Sequence, residues 1–277
     1  MTTISVTAFT DTGLQRTRNE DAVLVGDWMC QAATGAVVTM EFSDQTPFVC
    51  AVADGMGGHV GGDLASRVAL GVIADAAPAW STPEDVTASL HQASERVYQV
   101  GHDPDLRGLG TTIAGVCVLQ NTIVVFNIGD SRVYSSTSGF LQQISMDDAV
   151  TDKHGQPTNI ITQSLGQAEA VTPHVTSAPR DGAAYLICSD GVSSVVTAAG
   201  LRAAALKPQA RHFADAIIDA TKAAGAHDNF SFAIVAVPAV EQSPELPPAQ
   251  YDNAEKTSTA SATDDAITVL EHETTPS

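Results

Sequence analysis

The stretch Phe48-Val49-Cys50-Ala51-Val52-Ala53-Asp54-Gly55-Met56-Gly57-Gly58-His59 carries the most informative pattern in the chain. Six apolar residues in a row read as a buried strand. The run stops at Asp54, and Gly55, Gly57 and Gly58 follow at once. A strand end holds a side chain rigidly at the rim of a sheet, and a glycine beside it lets another backbone, an ion or a ligand come close.

The same arrangement recurs outward in both directions. Asp190 follows Tyr185-Leu186-Ile187-Cys188-Ser189, and Asp130 follows Val125-Phe126-Asn127-Ile128-Gly129. Asp21 precedes Ala22-Val23-Leu24-Val25, and Asp228 precedes Asn229-Phe230-Ser231-Phe232-Ala233. One aspartate at a strand end is usually a turn former, because its side chain bonds its own backbone. Five are harder to explain as turns. If they converge, repulsion raises their pKa values unless hard cations bind. Carboxylates, a backbone carbonyl and water are the ligands that Mg²⁺ and Mn²⁺ take. The spacing permits convergence without requiring it.

Around these aspartates, strands are expected at residues 4–10, 22–26, 48–53, 111–119, 123–128, 132–136, 140–144, 184–188 and 230–237. Residues 27–47 hold turn residues and read as a loop or hairpin. Helices are expected at 62–77, 83–100 and 208–224, the second opened by Pro83-Glu84-Asp85, since proline and acids suit a helix N-terminus. Hairpins with segregated helices indicate an α+β layered fold. Beyond Val237 the composition turns to Pro, Ser, Thr, Ala and acids. The expectation is therefore a folded domain over 1–237 and an acidic disordered tail over 238–277, interrupted by Ile267-Thr268-Val269-Leu270.

Of 277 residues, 32 are acidic and 13 basic, for a net charge of −19. Of these, 24 acids and 12 bases precede Pro238, so the tail alone does not make the chain acidic. The balance argues against nucleic acid and anionic membranes as partners, which need a basic footprint. Cys30, Cys50, Cys117 and Cys188 include no C-x-x-C pair, which argues against a cysteine zinc site. Neither a signal-like N-terminus nor a bilayer-length apolar run is present, so the expectation is a reduced, cytoplasmic protein.

The ordered motifs resemble those of the metal-dependent Ser/Thr protein phosphatases (PPM, protein phosphatase 2C-like) in their compact bacterial form. They run from Asp11-Thr12-Gly13-Leu14-Gln15-Arg16-Thr17-Arg18-Asn19-Glu20-Asp21 through Ala53-Asp54-Gly55-Met56-Gly57-Gly58-His59 and Gly108-Leu109-Gly110-Thr111-Thr112. They continue with Ile128-Gly129-Asp130-Ser131-Arg132, Ser164-Leu165-Gly166, Cys188-Ser189-Asp190-Gly191 and His227-Asp228-Asn229. Any one motif is weak, whereas the ordered set over residues 4–237 is specific.

The resemblance implies a four-layer α/β/β/α sandwich with two central antiparallel sheets. It also implies hydrolysis of phosphoserine and phosphothreonine by a hydroxide bridging two Mn²⁺ or Mg²⁺ ions, with a weaker third ion. By resemblance, Asp54 bridges the metals, the Gly55 carbonyl binds one of them, and Asp190 and Asp228 complete the first. Asp21 serves the second, helped by Glu20 through water, and Asp130 with Asp190 matches the third. Arg16 matches the arginine that holds the substrate phosphate. His59 and His227 are outer candidates, each with a solvent-exposed loop histidine as its plain reading.

Arg132 is expected in a structural ion pair, and Gly110-Thr111-Thr112 in strand-start packing. Met56 stands where eukaryotic relatives often carry histidine. Residues 145–163 read as a shortened flap, with Gln163 where arginine is common. The implied partners are phosphorylated proteins and a bacterial-type Ser/Thr kinase whose action the enzyme opposes, and the expected state is a monomer. The competing reading is a catalytically weak or inactive phosphoprotein-binding relative.

Overall fold

A computed structural model describes residues 3–44, 46–57, 61–137, 140–153, 157–167, 170–207 and 209–240. Met1–Val240 is one compact unit, and residues 241–277, with the expected tail and its apolar island at 267–270, lie outside the described residues.

The chain begins with β1 (Thr3–Asp11), β2 (Asp21–Val25), β3 (Trp28–Cys30), β4 (Val38–Ser43) and β5 (Phe48–Met56). Two long helices follow, α1 (Gly62–Ala76) and α2 (Pro83–Val100). Thr82 caps α2 by accepting from the Asp85 N–H, while the Asp85 carboxylate accepts from the Thr82 N–H, so two orphan donors are satisfied reciprocally. The middle of the chain holds β6 (Gly110–Thr111), β7 (Ile113–Val118), β8 (Thr122–Ile128), β9 (Arg132–Thr137) and β10 (Phe140–Gln143). Next come β11 (Ala149–Thr151), β12 (Pro157–Ile161), β13 (His174–Pro179) and β14 (Ala184–Cys188). The series ends with α3 (Asp190–Ser193), α4 (Ala198–Ala205), α5 (Ala210–Ala223) and β15 (Phe230–Ala236).

One sheet has the order β10-β9-β14-β15-β1-β4, and the other β13-β8-β7-β5-β2-β3 with β6 on β5. Every pairing in both is antiparallel. The layers follow from strand parity. On β5, Val49, Ala51 and Ala53 face α1 and α2, while Cys50 and Val52 face the opposite sheet. On β15, Ala233 and Val235 fill the space between the sheets, while Phe230, Phe232 and Ile234 meet α4 and α5. The central strands are buried on both faces, which is why they read as continuous apolar runs. Each fully buried Leu, Ile or Phe contributes roughly 1.5–3 kcal/mol of transfer free energy. The result is the expected four-layer α/β/β/α sandwich.

Several elements differ from expectation. Residues 27–47 are not a hairpin: β3 extends the β2 sheet, while β4 pairs with β1 in the other. Residues 145–163, read as a shortened flap, carry β11 and β12, which pair as a separate two-stranded ribbon. The edge strand β13 and helices α3 and α4 were not anticipated. Their sequences carry little apolar alternation; β13, for instance, runs from half-buried at His174 and Val175 to exposed over its last four residues. No helix among the described residues is long and apolar enough to cross a membrane.

Candidate active site

The pairing of β2 with β5 places Asp21 directly opposite Asp54. Cross-strand partners share a face of the sheet, and here the shared face looks into the gap between the two sheets. Three chain segments bring the other aspartates to this end of the sandwich. Asp190 opens α3 straight after β14, Asp228 immediately precedes Asn229 and β15, and Asp130 follows Gly129 at the end of β8. Gly129 has φ 96°, and a Cβ there would press on Thr112, so the turn requires glycine.

Polar bonds hold these ends in place. The Thr112 hydroxyl accepts from the Asp54 N–H at 3.2 Å and shares a 2.7 Å bond with Ser131, next to Asp130. The Thr111 hydroxyl donates to the Asp54 carbonyl at 2.9 Å. The Asn229 side chain accepts from the Glu20 N–H and donates to the Thr12 and Arg18 carbonyls, each at 2.8 Å. Asn229 thereby staples the loop carrying Arg16 to the start of β15.

A cleft of about 720 Å³ opens here, walled by Arg16, Arg18, Glu20, Asp54, Asp190, Asp228 and Ile161, among others. Arg16 Nη2 donates to Asp228 Oδ2 at 2.7 Å. Asp21 and Asp130 do not line the cleft. Asp21 is fully buried and accepts from the Ser189 hydroxyl at 2.7 Å. Glu20 takes the exposed position instead: its carboxyl lies against Gly62 at the start of α1, where a Cβ would collide with it. The sequence reading gave Asp21 the leading role and Glu20 the supporting one, but the structure puts Glu20 at the surface of the cleft and Asp21 beneath. Consecutive residues point to opposite sides of a strand, so only one of an adjacent pair faces the gap between sheets.

The carboxyls perturb one another. Burial, then repulsion from Asp21, Asp190, Asp130 and Asp228, holds Asp54 well above the usual range. Burial pushes Asp21 and Asp130 up to about 7, with Asp190 repelling both. Burial also raises Asp190, although a hydrogen bond from Asp54 opposes the rise. Glu20 is raised by desolvation and partly relieved by Arg16.

Among the described residues, no three acidic, histidine or cysteine side chains already close around one point as a ligand set. Asp228 is instead held by Arg16 and Asp21 by Ser189. Two buried oxygens, Asp21 Oδ1 and Asp130 Oδ1, have no hydrogen-bond partner. Unpaired, desolvated, mutually repelling carboxylate oxygens are the chemistry that hard divalent cations relieve, so the donor set fits them.

The remaining expectations divide. Arg132 pairs with Asp147 at 2.6 Å, away from the cleft, as expected of a structural ion pair. Gly110-Thr111 pairs with the end of β5, as strand-start packing predicts. His227 is exposed and bonds Gln15, not Asp228. His59 lies outside the described residues. Sequence reasoning missed Arg18, Asn229 and Ile161 as parts of the site. Asn229 closes the His227-Asp228-Asn229 motif, and its four hydrogen-bonding positions are the signal that could have found it.

The whole is an antiparallel α/β/β/α sandwich with acidic side chains gathered at one end and an arginine across the mouth of the cleft. A family profile described as protein phosphatase 2C matches residues 24–228, and the chain belongs to that family. The serine/threonine protein phosphatase PstP of Mycobacterium tuberculosis is 28% identical over 83% of this chain and 44% of its own length. The chain thus spans less than half of that relative. The serine/threonine phosphatase stp of Listeria monocytogenes is 31% identical, covering 68% of this chain and 77% of its own. Among solved structures, the PstP catalytic domain in complex with two manganese ions superposes with a TM-score of 0.69. It is 28% identical, covering 86% of this chain and all of that one.

Proposed function

We propose that the chain is a metal-dependent protein Ser/Thr phosphatase whose folded domain, over residues 1–237, precedes an acidic tail at 238–277. The observation that carries this reading is the meeting of Glu20, Asp54, Asp190 and Asp228 at one cleft with Arg16 at its mouth. Asp54, Asp190, Asp228, Glu20 and the Gly55 carbonyl are the groups that would hold two Mn²⁺ or Mg²⁺ ions. Asp21 lies beneath them, and Asp130 with Asp190 would hold a weaker third. The bound cations would supply a water acidified to act near neutral pH and positive charge for the phosphoryl oxygens.

The chain's own residues do the rest. Arg16 presents a planar pair of donors to two phosphate oxygens, which a lysine cannot match. Asp228 aims that guanidinium across the cleft. The proton that the attacking water gives up is balanced by the one the leaving Ser or Thr oxygen gains. A P–O bond forms to the water oxygen, the bond to the Ser or Thr oxygen breaks in line, and that oxygen leaves with a proton. Free phosphate and the dephosphorylated side chain are the products, with no covalent intermediate on the protein.

Phosphorylated proteins, the output of a Ser/Thr kinase, are the substrates this reading implies. The experiment is hydrolysis of p-nitrophenyl phosphate and a phosphothreonine peptide, with and without Mn²⁺. A folded, Mn²⁺-binding protein that releases no phosphate from either would refute it.

A further inference from the structure

The ribbon β11–β12 stands beside the cleft and contributes Ile161 to its wall. It pairs with neither large sheet, and its register holds at two residue pairs, Ala149 with Ile161 and Thr151 with Pro157. An isolated two-stranded ribbon is marginal by itself, so its position depends on how its two roots are tied.

Both roots are tied at Asp148. The Asp148 N–H donates to the Gly129 carbonyl at 2.9 Å, and its carbonyl accepts from the Thr162 N–H at 2.8 Å. The Asp148 side chain is 13% exposed. Its Oδ2 accepts from the Gly129 N–H and from Gln163 Nε2, each at 2.9 Å, and its Oδ1 meets His174 Nε2 at 2.7 Å. Gln163 clasps the Thr172 backbone through both ends of its amide, closing a ring of contacts back to His174. Met146 and Asp147 also hold the approach to β11, through Asn127 and Arg132. Among the described contacts, Asp148 is the one that grips the exit from β12 as well. The residue it grips on the sandwich, Gly129, is the neighbour of Asp130.

We propose that Asp148, clamped between Gln163 and His174, is a positioning residue for macromolecular substrate: it fixes the β11–β12 ribbon against the Asp130 end of the sandwich and so places the cleft wall that a phosphoprotein meets. It touches no phosphate. The chemistry is specific to a carboxylate, which accepts on all sides. Asparagine keeps only one accepting oxygen, so it must either turn its amide hydrogens toward the Gly129 N–H and Gln163 or face them to His174, whose Nε2 must then give up its hydrogen. The inference rests on the phosphatase reading, and it predicts that peptide substrates depend on the clamp more than a small ester does.

The test uses the full chain with Mn²⁺, in wild type, Asp148→Asn, His174→Ala and His174→Gln. Substrates are p-nitrophenyl phosphate and a phosphothreonine peptide. Asp148→Asn should raise the peptide KM about tenfold, with kcat changed far less, because misplacing a binding wall costs on that scale. His174→Ala should raise it in the same direction, and His174→Gln, which keeps a donor, should restore it. The loss on peptide should exceed the loss on p-nitrophenyl phosphate at least ~threefold. Backbone amides of 149–151 and 158–161 should exchange faster in Asp148→Asn and His174→Ala.

Equal losses on both substrates, an unchanged peptide KM, or unchanged exchange at the ribbon would overturn the inference. Should Asp148→Asn fail to fold, the half-exposed His174 pair of variants decides it alone. An inactive wild type would refute the phosphatase reading instead, and the exchange comparison would still judge the clamp.

Discussion

Arg16 and Asp228 stand 212 positions apart in the chain, yet Nη2 of the first donates to Oδ2 of the second at 2.7 Å across the mouth of the cleft. Their side chains are 51% and 38% exposed, so solvent screens the pair and its contribution to stability is about 0–1 kcal/mol. What the contact supplies is direction. It swings a long, flexible guanidinium over the carboxylates, where a phosphate held beneath it would find donors.

Arg16→Ala should therefore lower kcat/KM for a phosphopeptide by about 100-fold, the scale of losing one aimed donor to a charged oxygen. The melting temperature should stay within about 2 °C, as an exposed pair implies. Arg16→Lys should recover little, because the second parallel donor is missing. Steady-state kinetics beside a thermal melt decide the matter, and a lysine variant with full activity would contradict the assigned role.

The raised carboxyl pKa values give a sign to the pH dependence. Asp130 titrates near 4 in an unfolded chain and is pushed up to about 7 in the fold. Between those values the folded protein binds more protons than the unfolded one, so this group's contribution to stability falls as pH rises through the window. In chelator, Asp130→Asn should gain on wild type in melting temperature as pH goes from about 4 to about 7. Added Mn²⁺ should shrink the gap. A constant difference between the two proteins across that range would show that burial does not perturb Asp130.

Glu20 and Asp21 should separate by experiment as they do in space. Glu20→Gln removes a charge from the cleft surface and should raise the Mn²⁺ needed for half-maximal activity by roughly 10-fold. Asp21→Asn removes a buried, repelled charge that accepts from Ser189, and should raise the melting temperature of the chelated protein. Metal titrations and melts of both variants check this. Reversed outcomes would mean that the two side chains have exchanged roles.

Gly55 and Gly191 mark places where backbones nearly touch. A Cβ at Gly55 would run into the Gly62 carbonyl, and one at Gly191 into the Asn229 carbonyl. Backbone cannot step aside as a side-chain tip can, so Gly55→Ala or Gly191→Ala should cost about 1–3 kcal/mol. Denaturant titration measures the cost, and a loss under ~0.5 kcal/mol would show that the contact relaxes freely.

The central strands were legible because both of their faces are buried. Residues 48–53 and 184–188 need no partner in view to read as strands. The start of the helix opened by Pro83 was readable because it is local chemistry, a proline at the first position followed by two acids, while the Thr82 cap bonded to Asp85 showed only in the structure. The ribbon β11–β12 and the edge strand β13 were not legible, since exposed strands are held by partners distant in sequence and need no apolar pattern of their own. The split of residues 27–47 between two sheets was hidden for the same reason.

What the amino-acid order determined by itself is the set of aspartates at strand ends and the apolar runs that carry them, because local preference and burial act residue by residue. Tertiary structure alone decided that these ends meet, that Glu20 rather than Asp21 faces the cleft, and that Asp148 holds both roots of the ribbon. Those outcomes depend on which strands pair, in what register, and on which side of the pleat each carboxylate emerges. A shift of one residue in the pairing of β2 with β5 would leave the composition and every motif unchanged and turn Asp21 away from Asp54.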